Sequence, residues 1–307
     1  MPLNREQKNL WLITGFVVLW NSGFIGAEFG LPFTGPFTLM FYRYMALTLV
    51  IFFYLSVAKR FYRVPWRYAR QQMLIGILAH GVWLSCVLIA IDYGVPAGIV
   101  ALVVALQPLA TGALSGLVVG EPTPWNRWVG LFIGFAGVAV PVVTRVNFQN
   151  PSEVFAWFIP LGSVIAITIA SLFQRKISLK NDYPRIPKVL ALFYQSLGTT
   201  LAVVLPAVFV EKLSVEWVPV FITSMIWLVL GVSLGAYSLM WILIDRIDAT
   251  RVASLFYLGP PVTMFMAWVA FGDEVEVIDL MGMALVFAGV FMTYLKVPAS
   301  SGRREEL

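Results

Sequence analysis

The sequence has one cysteine, Cys86, and one histidine, His80, so it can build neither a disulfide framework nor a zinc or haem ligand set, and no metal or cofactor is expected. Charge is scarce as well, Asp, Glu, Lys and Arg together making up 12% of the 307 residues. Apolar residues fill the space. They reach 60% of the chain, a composition that excludes a soluble globular domain and points to a bilayer as the solvent. The net charge of +5 would suggest a nucleic-acid partner in a soluble chain. Its distribution along the sequence argues for a membrane instead.

Ten apolar stretches are present: Leu10 to Ala27, Phe37 to Val57, Met73 to Ile91, Gly98 to Val119, Trp128 to Val143, Phe155 to Phe173, Val189 to Val210, Val220 to Ile244, Ala249 to Phe271 and Ile278 to Leu295. Each is near the length that crosses about 30 Å of hydrocarbon as a helix. The first is too long for a signal peptide, and Ala27-Glu28-Phe29 is a poor cleavage site, so it is expected to stay. With the N-terminus in the cytosol, 18 of the 21 Lys and Arg fall on the inner side. Arg145 and Lys212 fall outside, and Arg43 lies within a helix. This bias predicts ten crossings with both termini cytoplasmic, and it accounts for the basic balance without nucleic acid.

The chain also repeats itself. Phe41-Tyr42-Arg43 precedes Phe193-Tyr194-Gln195 by 152 positions, Gly130 to Val138 precedes Gly282 to Val290 by the same interval, and the segment from Ile91 to Glu121 precedes that from Ile244 to Glu274 by 153. Five spans per copy is an odd number, so the second copy must enter the membrane inverted. The expected fold is therefore all-α and integral to the membrane. Residues 1–146 form one five-helix repeat and 147–307 the other, in a single membrane domain that works by alternating access.

The segment Leu19 to Phe24 ("LWNSGF"), Arg43 after a proline-led second span, "VVGEP" ending at Pro122 and glycine-rich fifth and tenth spans resemble the drug/metabolite transporter superfamily, in particular its ten-helix EamA-type exporters. The resemblance covers nearly the whole chain. It implies a secondary transporter in a bacterial inner membrane that exports amino acids, aromatic ones included, and related small amphiphiles. In the second half "FGDE" and the doubled Pro260-Pro261 depart from the family pattern.

Several polar or aromatic residues sit where a span should be apolar. Arg43 lies about 10 Å below the outer boundary, where a charge is costly unless paired or hydrated. It either pairs with Glu28 or faces the cavity and draws a substrate carboxylate, for which its planar fork is suited. Its repeat mate is the neutral Gln195, so the charge is not a symmetric requirement of the scaffold. Trp20 and Asn21 serve either helix packing or a ligand, Trp20 stacking on it and Asn21 bonding its amino group. His80 and Trp83 share a face of the third span, with the histidine either bonded to a carbonyl or lining the site. Ser233, Tyr237 and Trp241 form a stripe on the eighth span. Gln107, Tyr194, Gln195 and Tyr257 complete the candidate binding set.

Glu121 and Glu274 are expected to cap the helices that follow them. Pro108, Pro260 and Pro261 are expected to kink the fourth and ninth helices as hinges. Glycine pairs at 112/116, 130/134 and 231/235 have the spacing for close helix packing, within the chain or in a homodimer, which is possible but not required. No catalytic residue is assigned. An intramembrane Ser115–His80 hydrolase would leave the inverted repeat without a purpose, and a nucleotide-sugar or drug carrier would need more basic residues, or a buried carboxylate, than the spans supply. No carboxylate lies at mid-depth and only His80 titrates near neutral pH, so a facilitator fits as well as a proton antiporter and is favoured.

Overall fold

The computed structural model describes residues 5–120, 124–145, 149–180, 183–184, 186–247, 252 and 255–294. The described chain is helical apart from an isolated β-bridge between Thr34 and Val215. Eight helices are long and apolar enough to cross a membrane, and two shorter apolar helices follow them near the C-terminus. Helix α1 is Arg5–Gly30, α2 is Pro36–Val57, α5 is Trp125–Arg145, α6 is Pro151–Ser178 and α7 is Lys188–Phe209. The shorter α10 is Val277–Tyr294. The remaining four are irregular.

Helix α3 runs from Trp66–Gly76 through a π-helical stretch, Ile77–Val82, into Trp83–Asp92. Helix α8 has the same build, Pro219–Ile226, π-helical Trp227–Ala236 and Tyr237–Ile247. A π stretch inserts a residue into the α ladder and re-aims the side chains beyond it, and the two stretches fall one repeat interval apart. Helix α4 is broken into Ala97–Val104 and Gln107–Val119, and α9 consists of a 3₁₀ turn, Phe256–Leu258, followed by Gly259–Phe271. Pro108 and Pro260 therefore do not kink continuous helices as expected. Each sits in the first turn of a new helix, where its missing N–H would have had no partner anyway.

Exchanging the first five helices for the second five preserves several of the packing pairs. Helix α1 packs on α8 and α9, as α6 packs on α3 and α4, and α2 meets α8 as α7 meets α3. Pairs α2–α7, α4–α9 and α5–α10 map onto themselves. In α5–α10 the backbones touch: a Cβ on Gly130 would stand 2.5 Å from the Gly289 carbonyl oxygen, and one on Gly137 2.6 Å from that of Gly282. Pairing 130 with 289 and 137 with 282 means that the two helices run antiparallel. Helices α1 and α8 do too, since Gly15 meets Leu239, Gly23 meets Val232 and Gly30 meets Ser224. The Gly130/Gly134 pair thus packs within the chain, whereas the nearest atom to a Cβ on Gly112 would be Arg127 Cδ at 3.9 Å, which is no close approach.

The capping expected of Glu274 is not made. Glu274 is exposed in the connection before α10, and it is Asp279 whose Oδ2 accepts from the Glu276 N–H at 2.9 Å and from Arg145 Nη2 at 2.6 Å, tying α10 to α5. Asp279 is closer to the helix start and 2% exposed, so it can serve both donors. Glu121 lies outside the described residues. At the start of α2 the cap comes from far along the chain: Glu211 accepts from the N–H groups of Phe37 and Thr38 at 3.1 and 2.7 Å. Thr34 Oγ1 donates to Ser214 O and the Glu216 N–H to Phe33 O, so the α7–α8 connection is stitched to the α1–α2 connection. Gly35 is needed there because a Cβ would run into the Glu211 carboxylate.

Candidate functional site

A cavity of about 840 Å³ lies between the two sets of helices. Its rim includes the exposed Lys180 and Lys188, and its walls come from α3, α6, α7 and α8, with Trp20 of α1, the α4 break at Val104 and Gln107, and Phe256 of α9. Both helix interruptions thus border the cavity. Of the expected binding residues, Trp20, His80, Trp83, Gln107, Gln195, Tyr237 and Trp241 line it. They form a surface of indole and phenol rings with placed neutral hydrogen-bonding groups, as small-ligand sites generally do.

A chain of side-chain hydrogen bonds crosses one wall. Gln72 Nε2 donates to the Tyr183 hydroxyl at 2.8 Å, Gln195 Nε2 donates to Gln72 Oε1 at 2.8 Å, and His80 Nε2 lies 3.2 Å from Gln195 Oε1. The Tyr237 hydroxyl lies 3.1 Å from His80 Nδ1. Because Gln195 Oε1 can only accept, Nε2 carries the imidazole proton, and in the neutral ring Nδ1 accepts from Tyr237. The histidine is thus bonded to the side-chain carbonyl of Gln195 and to a phenol, and it also lines the cavity. Close approach makes the chain possible: Gly198 lies so near α3 that a Cβ there would stand 2.6 Å from Met73 O, which brings Gln195 against Gln72 and His80. Gln72 and Tyr183 were not anticipated. The signal for Gln72 was the amide pair Gln71-Gln72 between Arg70 and the apolar run beginning at Met73; nothing marked Tyr183.

Deeper in, a second chamber of about 30 Å³ is lined by Arg43, Tyr44, Phe24, Leu84 and Val232 among others, and it shares Trp20, Trp83 and Tyr237 with the large cavity. These three rings stand between the two spaces, Trp20 and Tyr237 with centroids 5.2 Å apart. Arg43 is 5% exposed, and its Nε donates to Ser233 Oγ at 3.1 Å while the guanidinium lies 5.7 Å from the Tyr44 ring centre. The ion pair with Glu28 is not formed, since Glu28 Oε2 is buried without a partner. The expected stripe on α8 therefore divides its work: Ser233 holds Arg43, Tyr237 holds His80, and Trp241 faces the cavity.

Three expected ligand contacts lie elsewhere. Asn21, 3% exposed, donates from Nδ2 to Val17 O at 2.7 Å and accepts from Thr263 Oγ1 at 3.2 Å, so its amide is engaged in packing α1 against α9. Tyr257 is buried in the core and Tyr194 packs on Phe193; neither lines the cavity. Ser115 donates to Gly112 O and receives Arg127 Nη1, while both ring nitrogens of His80 are taken, so no Ser–His dyad exists. Among the described residues no group of His, Cys, Asp and Glu is arranged to hold a metal ion.

Apolar helices packed around a solvent-reaching cavity, with helix breaks at its wall, define a multi-pass membrane transporter. A model of the EamA-like transporter family matches residues 7–143 and 154–295. The chain belongs to that family, within the drug/metabolite transporter superfamily. It is similar to a Salmonella typhimurium protein named "Probable amino-acid metabolite efflux pump", with 23% identity over 94% of this chain and 95% of that one. It is likewise similar to a "Probable terminal-alkyne amino-acid exporter" of Streptantibioticus cattleyicolor, with 24% identity over 98% of this chain and 97% of that one. A solved crystal structure, 19% identical over 94% of this chain and 96% of its own, superposes with a TM-score of 0.63 and shows the fold alone.

Proposed function

We propose that the protein exports amino acids, aromatic ones included, and related small amphiphiles across a bacterial inner membrane by alternating access between two inverted halves, 1–146 and 147–307. The observation that carries this reading is the 840 Å³ cavity walled by Trp20, Trp83, Tyr237 and Trp241 with His80, Gln107 and Gln195 as neutral hydrogen-bonding groups. Rings stack on apolar side chains, and the amides and imidazole bond an ammonium or carboxylate without holding it as an ion pair would. The exchange-symmetric packing and the antiparallel α5–α10 and α1–α8 pairs support the inverted arrangement. Two similar proteins named for amino-acid efflux or export support the substrate class.

With both termini cytoplasmic, the rim at Lys180 and Lys188 belongs to the cytoplasmic side, and the stitched 31–38 and 211–216 connections close the periplasmic side. The conformation is then the one that loads substrate from the cell. Pro108, Pro260 and Pro261, at the helix breaks beside the cavity, mark where the halves bend. Purified protein in liposomes, offered aromatic and aliphatic amino acids, nucleotide sugars and lipophilic dyes, tests the assignment. Amino-acid counterflow is expected; robust dye or nucleotide-sugar flux without amino-acid flux overturns it.

A further inference from the structure

Arg43 is a buried guanidinium that meets no carboxylate among the described residues, and only its Nε has a hydrogen-bond acceptor, Ser233 Oγ. Trp83, on the wall of the same chamber, has its indole N–H buried with no acceptor. A lone charge in a membrane interior is costly, and so is a buried donor left unmade. The guanidinium beside a space of about 30 Å³, with the unpaired Trp83 N–H on a ring of its wall, leaves the region short of an acceptor with negative charge. A space of that size admits a group comparable to one or two waters and not a whole amino acid.

Resting on the exporter reading above, we propose that this chamber is a receptor for the substrate's carboxylate, so that transport is strict about that one group and tolerant of the rest. The carboxylate passes between Trp20, Trp83 and Tyr237, which part by side-chain rotation, and is held by the free end of the Arg43 guanidinium and by Trp83 Nε1–H. The ammonium and side chain stay behind among the rings and amides of the large cavity, which is many times larger and fits no single side chain. An inorganic anion such as chloride has the same complementarity to the two donors, and the experiment separates the two sources.

Liposomes containing the purified protein and loaded with phenylalanine are assayed for counterflow of phenylalanine, other neutral amino acids and phenylalaninamide, in chloride and in sulfate media. The wild type is expected to carry several amino acids within a few-fold of one another and to discriminate against the amide by about 30-fold, the scale of a lost charge-assisted hydrogen bond. R43Q is expected to collapse the acid-to-amide ratio toward one, R43K to keep part of it, and W83F to lower it by about 5-fold. Should R43Q not fold, the wild-type ratio and W83F still decide. Equal flux of acid and amide in the wild type overturns the receptor while leaving the exporter standing, as does flux that follows chloride and ignores the carboxylate. Absence of amino-acid flux alongside dye flux removes both.

Discussion

The same crossing of helices occurs twice in the molecule with different chemistry. At one, Arg43 of α2 bonds Ser233 in the irregular part of α8; at the other, Gln195 of α7 bonds His80 in the irregular part of α3. Positions 43 and 195 are repeat mates 152 apart, and 80 and 233 are 153 apart, so the two are one bond between the halves made twice, with the partners' halves exchanged. The first lines a small chamber with a positive charge, and the second faces a cavity that reaches solvent, where the neighbouring groups are neutral and Lys180 and Lys188 stand at the rim. One of the equivalent crossings holds a charge and the other does not. In the receptor proposed above, this asymmetry sets a direction: a ligand passes the neutral groups of the wall before it meets its counter-charge at Arg43.

Moving the charge breaks the comparison most severely. The double variant R43Q/Q195R is expected to hold carboxylated substrate at the cavity and to lose about 100-fold in counterflow, because a guanidinium left beside His80 and Gln72 has no path onward. Equilibrium binding measured beside counterflow checks this, and unchanged counterflow would show that position is immaterial. At the closed end, E211A deprives two α2 N–H groups of their acceptor and is expected to lower stability by about 2 kcal/mol, read by thermal denaturation in detergent. At the open end, Q195L cuts the chain between Gln72 and His80 and is expected to cost about 1.5 kcal/mol, with transport reduced about 10-fold. The mildest is S233A: Arg43 keeps its charge and loses one neutral acceptor, worth about 1 kcal/mol, and the acid-to-amide ratio should survive. A ratio that vanished in S233A would mean that Ser233, and not the guanidinium, does the recognising.

The regular parts of the fold were legible because length and hydropathy act locally. The second span was expected from Phe37 to Val57 and found as Pro36–Val57; the seventh, Val189 to Val210, as Lys188–Phe209. The π-helical stretches in α3 and α8 were not, since glycines such as Gly81, Gly231 and Gly235 weaken a helix without specifying how it is wound. Glu211 reaches its helix 173 positions back in the chain, a distance at which no spacing rule operates. At the site, the aromatic residues were found as stripes on helix faces, whereas Asn21 was left open between packing and a ligand because a mid-span amide looks the same whether its partner is a ligand or Thr263. The expected start of the ninth span at Ala249 falls outside the described residues.

Cavity walls in this molecule bend, break and change pitch; α5 and α10 do not. Their glycines bring peptide group against peptide group at two levels, Gly130 on Gly289 and Gly137 on Gly282, and Asn126 Nδ2 donates to Met292 O across the same seam. In the alternating-access reading proposed above, this pair travels as one piece and supplies the axle about which the other eight helices rock.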